Sequence, residues 1–196
     1  EKGVRLLRLG VVYGANASGK SNLLKAFNFL HSFLFAKHED LDEPTEVIPF
    51  MLDIVTPNQP SRFELVFYVG SVKYWYQLVL DSKQIYFEKL SVYHSIQPTM
   101  LFCRELESDH SVITFNPNVV KVSQVIKEKI SAECLKNMSF FAARDKVNVS
   151  IPGIDEAKEW LKNQIMQIVV PSTRMFEYAE RKIASDDKLR EYLLSV

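Results

Sequence analysis

The chain has 196 residues, of which 47% are hydrophobic and 12% aromatic, enough for the core of one globular domain. Lysine plus arginine and aspartate plus glutamate both total 24, which excludes a protein drawn as a whole to nucleic acid or membrane surfaces. The equal totals do not exclude a basic patch on one part of the surface. Two cysteines without CxxC spacing and four scattered histidines predict neither a disulfide framework nor a metal cluster.

No apolar run approaches the roughly 20 residues that a transmembrane helix requires, and the N-terminus lacks a signal-peptide pattern. We therefore expect no membrane partner, a cytoplasmic location, and reduced thiols at Cys103 and Cys134. The sequence begins at Glu1 and enters a predicted strand almost at once. We interpret this start as that of a processed protein or of a piece excised from a longer one.

The first predicted elements are a strand and a helix. Residues 4–13, VRLLRLGVVY, form a short aliphatic run that is followed by Gly14, as is typical of a buried strand. From Ser21 to about Ala36, apolar residues recur at spacings of three and four, which predicts a helix with a broad buried face. The polar, acidic segment 37–46, interrupted by Pro44, is predicted to be a surface loop.

The middle of the chain is rich in β-branched and aromatic residues. The runs RFELVFYVG, SVKYWYQLVLD, KQIYFEKLSVYH and TMLFCRE each have the composition of a strand. Only Gly70-Ser71 and Asp81-Ser82-Lys83 separate the first three runs, and a parallel crossover needs a dozen or more residues. Residues 61 to about 115 are therefore predicted to form an antiparallel meander.

The last third is predicted to be mainly helical. Asn116-Pro117-Asn118 indicates the start of a helix that runs to about Met138. Residues 139–153 are predicted to be a strand remnant or loop, residues 155–169 a helix, and the charged tail 180–196 a further helix. The fold class is thus α/β (α+β), with strand, loop and helix followed by an antiparallel meander and a helical segment.

One motif carries specific chemistry. GANASGKS, residues 14–21, satisfies G-x-x-x-x-G-K-[ST] in full and lies between the predicted strand and the predicted helix. In such a P-loop, main-chain N–H groups and the helix dipole bind phosphates, Lys20 reaches the β- and γ-phosphates, and Ser21 offers its hydroxyl to Mg²⁺. The predicted nucleotide-binding residues are Gly14, Ala15, Asn16, Ala17, Ser18, Gly19, Lys20, Ser21 and Asn22, with Ser21 as the metal ligand.

Asn16 and Asn22 extend the motif to G-x-N-x-x-G-K-S-N. This string resembles the ABC-type ATPases of the SMC, RecF and RecN branch, and YGANASGKSNLLKAF is most similar to bacterial AAA-type ATP-binding proteins near the Overcoming Lysogenization Defect family. The resemblance continues more weakly through IPF at 48–50 and into RFELVF. It implies a P-loop NTPase lobe that binds ATP and Mg²⁺, and a role in bacterial genome maintenance or phage defence.

The resemblance also implies parts beyond this lobe. ATPases of this branch need a signature of LSxG type, a Walker B strand ending in Asp-Glu, a switch histidine and a second head, which predicts a homodimer of the full-length protein. An effector protein is a further implied partner, and nucleic acid stays open as another. No LSxG or SGG string occurs here.

Two tetrapeptides, ending at Asp81 and Asp53, fit a Walker B strand formally. Asp81 is followed by Ser-Lys and ends a strand of the meander, so we interpret it as a turn residue; the second match is shorter and continues into Ile-Val. The family's Q-loop glutamine is assigned to none of Gln77, Gln164 and Gln167. No catalytic residue is therefore predicted in this chain.

The resulting domain prediction is a single partial ATPase domain, 1–196, incomplete at both ends. Its predicted parts are strand, P-loop and helix in 1–38, mainly antiparallel sheet in 46–115, and mainly helix in 116–196.

Four other features have ordinary structural interpretations. Tyr74, Trp75 and Tyr76 suggest a base-stacking platform, but neighbouring strand residues point to opposite faces, which favours packing within the sheet. Arg5 and Arg8 are predicted to be solvated, and His31 to be packed within its helix. Arg144-Asp145 is predicted to be a local ion pair of little energetic value.

We expect this lobe alone to bind nucleotide weakly and to hydrolyse it barely, if at all, and three alternatives to the ATP-binding lobe of an ABC-type ATPase stay in view. A small P-loop kinase needs parallel βαβ units after the motif, and the meander argues against it. A GTPase is disfavoured because the sequence contains no N-K-x-D string. A regulatory module, in which ATP binding orders a protein interface without hydrolysis, shares the P-loop and is not distinguished by this sequence.

Overall fold

The computed structural model describes residues 10–108, 110–165 and 173–194. Within them, five strands form one antiparallel sheet whose spatial order, β1-β2-β3-β4-β5, is the order in the sequence. The strands are β1 (Ser61–Val69), β2 (Val72–Leu80), β3 (Ile85–Tyr93), β4 (Thr99–Glu107) and β5 (His110–Phe115). Helix α1 (Lys20–Phe33) and a 3₁₀ turn (Thr56–Asn58) precede the sheet. Helices α2 (Gln124–Glu133), α3 (Phe140–Arg144), α4 (Ile154–Gln164), α5 (Thr173–Ser185) and α6 (Asp187–Leu194) follow it.

The sheet confirms the predicted meander. Val69 pairs with Val72 across the two-residue link Gly70-Ser71, and Gly70 supplies the positive φ of 59° that this tight reversal uses. Asp81 closes the next link as predicted: its Oδ1 accepts hydrogen bonds from the main-chain N–H groups of Lys83 (2.8 Å) and Gln84 (2.9 Å). The short links thus set the antiparallel pairing.

One face of the sheet packs against the helices that follow it. Tyr74 and Tyr76 are buried on this face, which confirms the packing interpretation over a base-stacking platform. Phe102 stacks on Phe140 of α3 at 3.7 Å between ring centroids, and Phe67 stacks on Trp160 of α4 at 4.4 Å. The core is therefore a two-layer arrangement of sheet and helices.

A buried ion pair fixes the segment before α3 to the sheet. The side chains of Glu88 and Arg104 are both 0% exposed, with 3.3 Å between guanidinium and carboxylate. Arg104 also donates to the carbonyl oxygens of Leu135 (2.8 Å) and Met138 (2.5 Å). Burial raises the pKa of Glu88, and the guanidinium together with donors from Phe140 N–H and the Tyr76 hydroxyl opposes that shift. Each charged atom thus has a protein partner.

The helical segment corrects two predictions. Helix α2 begins at Gln124 and ends at Glu133, whereas Asn116-Pro117-Asn118 forms a turn in which the Asn116 side chain accepts from Asn118 N–H at 3.0 Å. Residues 140–144, predicted as strand or loop, form the buried helix α3. Ser139 caps α3, because its Oγ accepts from Ala142 N–H at 3.3 Å and donates to the Leu34 carbonyl at 2.6 Å.

The prediction for Arg144 is wrong in its partner and in its burial. Arg144 is 5% exposed and pairs with Asp155 at 2.9 Å, whereas Asp145 pairs with Lys158 at 2.6 Å. Arg144 also donates to the carbonyls of Val147 (2.6 Å) and Val149. Arg144 and Asp145 thus make separate contacts to α4 and do not pair with each other.

The remaining helices agree with prediction in type, but their bounds differ. Helix α4 ends at Gln164, and the predicted continuation to 169 runs into residues outside the described ranges. The predicted tail helix is divided into α5 and α6. Both cysteines are free thiols, with Cys134 buried and Cys103 partly buried. No helix among the described residues is long and apolar enough to cross a membrane.

Candidate functional site

The P-loop and the first half of α1 protrude from the core. The predicted helix is confirmed as α1, but its broad buried face is wrong for the N-terminal half, where Leu23 and Leu24 are exposed and burial begins at Leu30. Residues 10–13 belong to neither strand nor helix and their side chains are exposed, with Val12 at 62%. The rest of the predicted first strand, with Arg5 and Arg8, lies outside the described residues.

Two left-handed residues give the loop its shape. Ala17 has φ 64° and Gly19 has φ 89°, and the tightest turn stands at Gly19, where an L side chain is strained. A methyl group on Gly14 would lie 3.2 Å from Ser18 Oγ, so the loop closes tightly at its first glycine. Ser18 N–H donates to the Ala15 carbonyl at 3.3 Å. Gly19 thus supplies a left-handed conformation, and Gly14 leaves room for the close approach of Ser18.

Lys20 extends back across the loop that precedes it. Its Nζ donates to the carbonyl oxygens of Gly14 (2.8 Å) and Ala15 (2.6 Å) and to Ser18 Oγ (3.3 Å). The ammonium therefore lies over the loop interior rather than in a salt bridge with any carboxylate of the described residues. Because its partners are neutral, no counter-charge offsets the ammonium, and it can attract an anion.

The start of α1 is open to an anion. Gly19 is its N-cap residue, and among the described residues no side chain caps the helix and no acidic residue occupies its first turn. The unpaired N–H groups and the positive end of the helix dipole therefore face outward from the loop. Ser21 and Asn22 lie in this first turn, both exposed. The start of α1 is therefore accessible from solvent and carries no negative side chain in its first turn.

A metal ion at the P-loop would take ligand atoms from a bound nucleotide as well as from the protein. Ser21 supplies an exposed hydroxyl beside the loop, and no group of three or more His, Cys, Asp or Glu in the described ranges could hold a metal ion. Mg²⁺ commonly takes its remaining ligands from phosphate oxygens and water. The residues present are thus compatible with Mg²⁺ carried by a nucleotide, with Ser21 as its ligand from this chain.

Comparison with known families decides the class of the protein. A profile of the family described as "AAA domain, putative AbiEii toxin, Type IV TA system" matches residues 9–120, more than half of the chain. This chain belongs to that family of AAA domains. The AAA match includes the P-loop, α1 and all five strands of the described sheet, and ends before α2. It identifies a nucleotide-binding module of P-loop ATPase type.

No curated protein and no solved structure matches this AAA domain at the significance that we required. Sequence reasoning treated the acidic loop 37–46 as plain surface, although the structure buries His38 and Thr45 within it. A lone histidine within a run of carboxylates was the signal available for that feature.

Proposed function

We propose that this AAA domain is the ATP- and Mg²⁺-binding first lobe of an ABC-type ATPase. The observation that carries the proposal is the position of Lys20, whose ammonium lies 2.6–2.8 Å from two loop carbonyls beside an uncapped helix start. An antiparallel meander after α1, instead of parallel βαβ units, favours this class over a small kinase.

Each residue of the loop has a distinct part in the proposed binding. Main-chain N–H groups of the loop and of the first turn of α1 would donate to phosphate oxygens, other than those of Ser18 and Asn22, which already donate to loop carbonyls. Lys20 would exchange its carbonyl contacts for the β- and γ-phosphates, a stronger charge-assisted interaction. Ser21 would ligate Mg²⁺, which neutralises the phosphates when bound.

Hydrolysis, in this proposal, needs a second lobe and a partner head. The two Walker B candidates have other contacts: Asp53 accepts from the N–H groups of Val55 (2.7 Å) and Thr56 (2.6 Å), and Asp81 closes its turn. Burial acts to raise the pKa of Asp81, but hydrogen bonds from Tyr86, Lys83 and Gln84 outweigh it and lower the pKa below its usual value. A carboxylate saturated with turn donors is a poor candidate for orienting water.

The biological setting is proposed from the family. Its description names a toxin and a type IV toxin–antitoxin system, which fits phage defence, with genome maintenance as the other setting of the resembling ATPases. The proposal includes a homodimer of heads in the full-length protein and an effector partner. Nucleic acid stays open as a further partner.

Nucleotide binding is tested by titrating a fluorescent ATP analogue with Mg²⁺ into the wild type, Lys20→Ala and Lys25→Ala. Lys25 is an exposed lysine of the same helix and serves as the matched control. We expect Lys20→Ala to weaken binding at least about tenfold, because a charge-assisted contact to phosphate is lost. Equal affinity in all three proteins would remove the phosphate-binding assignment.

Turnover is tested by phosphate release from this chain alone. We expect rates near background, far below the 1 per second or so of ordinary enzymes. Turnover at ordinary speed that Asp81→Asn abolishes would contradict the proposed need for a second lobe. Binding without turnover, even after a second lobe is supplied, would favour the regulatory module instead.

A further inference from the structure

A cavity lies at the opposite end of α1 from the P-loop. It has a volume of about 390 Å³ and is lined by Phe29 and Phe33 of the helix and by Lys37, His38, Glu43 and Glu46 of the loop that follows. Fourteen helical residues separate the two ends, which corresponds to about 20 Å. This acidic-loop cavity is therefore separate from the proposed nucleotide site.

The walls of the acidic-loop cavity are fixed by buried contacts. Asn137, which is fully buried, donates from its side-chain amide to the carbonyls of Asp40 and Glu43, each at 2.8 Å. Thr45 donates from Oγ1 to the Asp81 carbonyl at 2.5 Å. Glu46 has a left-handed φ of 60°, unusual for a residue other than glycine. The loop is thus tied to two distant segments rather than lying free on the surface.

His38 is one of several buried polar side chains with an atom that makes no hydrogen bond within the described residues. It is 7% exposed and lines the cavity. Its Nδ1 lies 3.1 Å from a Glu43 carboxylate oxygen, outside hydrogen-bond geometry, and neither ring nitrogen makes a hydrogen bond within the described residues. A buried polar group in this condition is costly, so a hydrogen-bonding ligand would stabilise the site.

The charge around the cavity favours a cation. Residues 37–46 contain five carboxylates and one lysine. The Glu46 carboxylate has no protein partner in the described part of the chain and lines the cavity. The C-terminal end of α1, which carries the negative end of the helix dipole, lies at the same place. A positive group here would meet attraction from the loop and from the helix.

The floor of the cavity favours an apolar stem beneath that cation. Phe29 and Phe33 stack with 5.1 Å between ring centroids and both line the cavity. The side chains of lysine and arginine pack methylene groups on apolar surface while their charged ends reach polar groups. The two requirements together describe a basic amino-acid side chain.

We propose that the acidic-loop cavity receives a lysine or arginine side chain from a basic segment of a partner protein. The stem lies on Phe29 and Phe33, and the charged end lies near Glu46 and the His38 ring. Recognition of this kind gives this chain a docking surface that is independent of nucleotide.

The first test uses small probes and NMR of the labelled protein. The probes are N-acetylarginine methylamide, the corresponding citrulline derivative, which has nearly the same shape without the charge, and N-acetylglutamate methylamide. We expect saturable shifts at His38, Phe33 and Glu46 with the arginine probe, at least about fivefold weaker binding of citrulline, and none of glutamate. Equal binding of arginine and citrulline, preferred binding of glutamate, or shifts elsewhere would overturn the proposal.

The second test separates the cavity from general surface charge. Glu46→Gln keeps the size of an exposed side chain and should weaken the arginine probe at least about threefold, whereas Glu105→Gln, at an exposed position of β4, should leave it unchanged. Lys37→Gln removes a positive charge that repels the arginine probe, so the probe should bind this variant equally or more tightly. Weaker binding in Lys37→Gln, or equal effects of the two glutamate changes, would contradict a cation site. Lys20→Ala should not change binding of the probe, so the two proposals fail separately.

Discussion

Arg104 and Lys20 are both cations that donate to main-chain carbonyls, yet they belong to opposite regions of the molecule. Arg104 is sealed between sheet and helices, and its donors go to a carboxylate, a hydroxyl and two carbonyls. Lys20 lies on the protruding loop and contacts two carbonyls and a hydroxyl, without a counter-charge among the described residues. The comparison teaches that a cation paired within the core supports the fold, whereas one held only by neutral groups is available to a ligand.

Replacing Arg104 should give the largest loss of stability. Arg104→Met leaves the Glu88 carboxylate buried without its counter-charge, and the Leu135 and Met138 carbonyls without donors, so we expect the free energy of unfolding to fall by about 3–5 kcal/mol. Urea denaturation followed by circular dichroism measures this change. The control is Arg62→Met, which breaks an exposed pair with Glu64 and should cost less than about 1 kcal/mol. Similar losses in the two variants would break the comparison.

The buried region should also protect a thiol. Burial raises the pKa of Cys134 to about 11, so at pH 8 this thiol is ionised about 100-fold less than an ordinary one. We expect iodoacetamide to modify Cys134 at least that much more slowly than in unfolded protein, and more slowly than the partly buried Cys103, as followed by mass spectrometry.

The same thiol gives a dependence on alkaline pH. Between pH 9 and 11 the unfolded chain loses the Cys134 proton before the folded chain does, so raising the pH through this range lowers the free energy of unfolding. Cys134→Ala should show a smaller fall over the same range in urea titrations. Rapid modification of Cys134 at pH 8 in native protein would show that this region opens more readily than its packing indicates.

Removing the cap of α3 should have an intermediate effect. Ser139→Ala loses a hydrogen bond to Ala142 N–H and another to the Leu34 carbonyl, so we expect a loss of about 1–2 kcal/mol in thermal or urea unfolding. Ser123→Ala is the matched control. Ser123 precedes α2 without a capping hydrogen bond to any described residue, and its replacement should cost less than about 0.5 kcal/mol.

The smallest effect on stability is expected at the P-loop. Lys20→Ala removes contacts that an exposed loop can replace with water, so the free energy of unfolding should change by less than about 0.5 kcal/mol. The same urea titration measures it beside Arg104→Met. A loss above about 1 kcal/mol would mean that Lys20 supports the fold, and the distinction between the two cations would fail.

Sequence reasoning succeeded where the determining contacts are local. Helix α1, the meander, the turn at Asp81 and the burial of Tyr74 and Tyr76 follow from periodicity, link length and strand alternation. The phosphate-binding role of the motif at 14–21 stays a prediction. Helix α3 was missed because FFAA has the composition of a buried strand, and its helical state depends on Ser139 and on sheet side chains far away in sequence.

Tertiary contacts explain the other misses. The partner of Arg144 lies eleven residues away on α4, beyond the reach of a local pattern. The shape of the acidic-loop cavity depends on Asn137, which donates to the Asp40 carbonyl, 97 residues away in the sequence. The exposed first half of α1 was mispredicted because periodicity shows which face of a helix is apolar, but not whether a neighbour covers it.

The sequential strand order has a consequence for synthesis on the ribosome. Each strand pairs with its predecessor, so the sheet can form by successive hairpins as the chain emerges. Phe29 of α1 already stacks on Phe63 of β1, but the α3 rings that stack on Phe102 arrive only with Phe140, 25 residues after β5 ends at Phe115. At about 5–20 residues per second, this part of the sheet is uncovered for about 1–5 s in each round of translation. This interval is when the nascent chain is most exposed to aggregation and to chaperones.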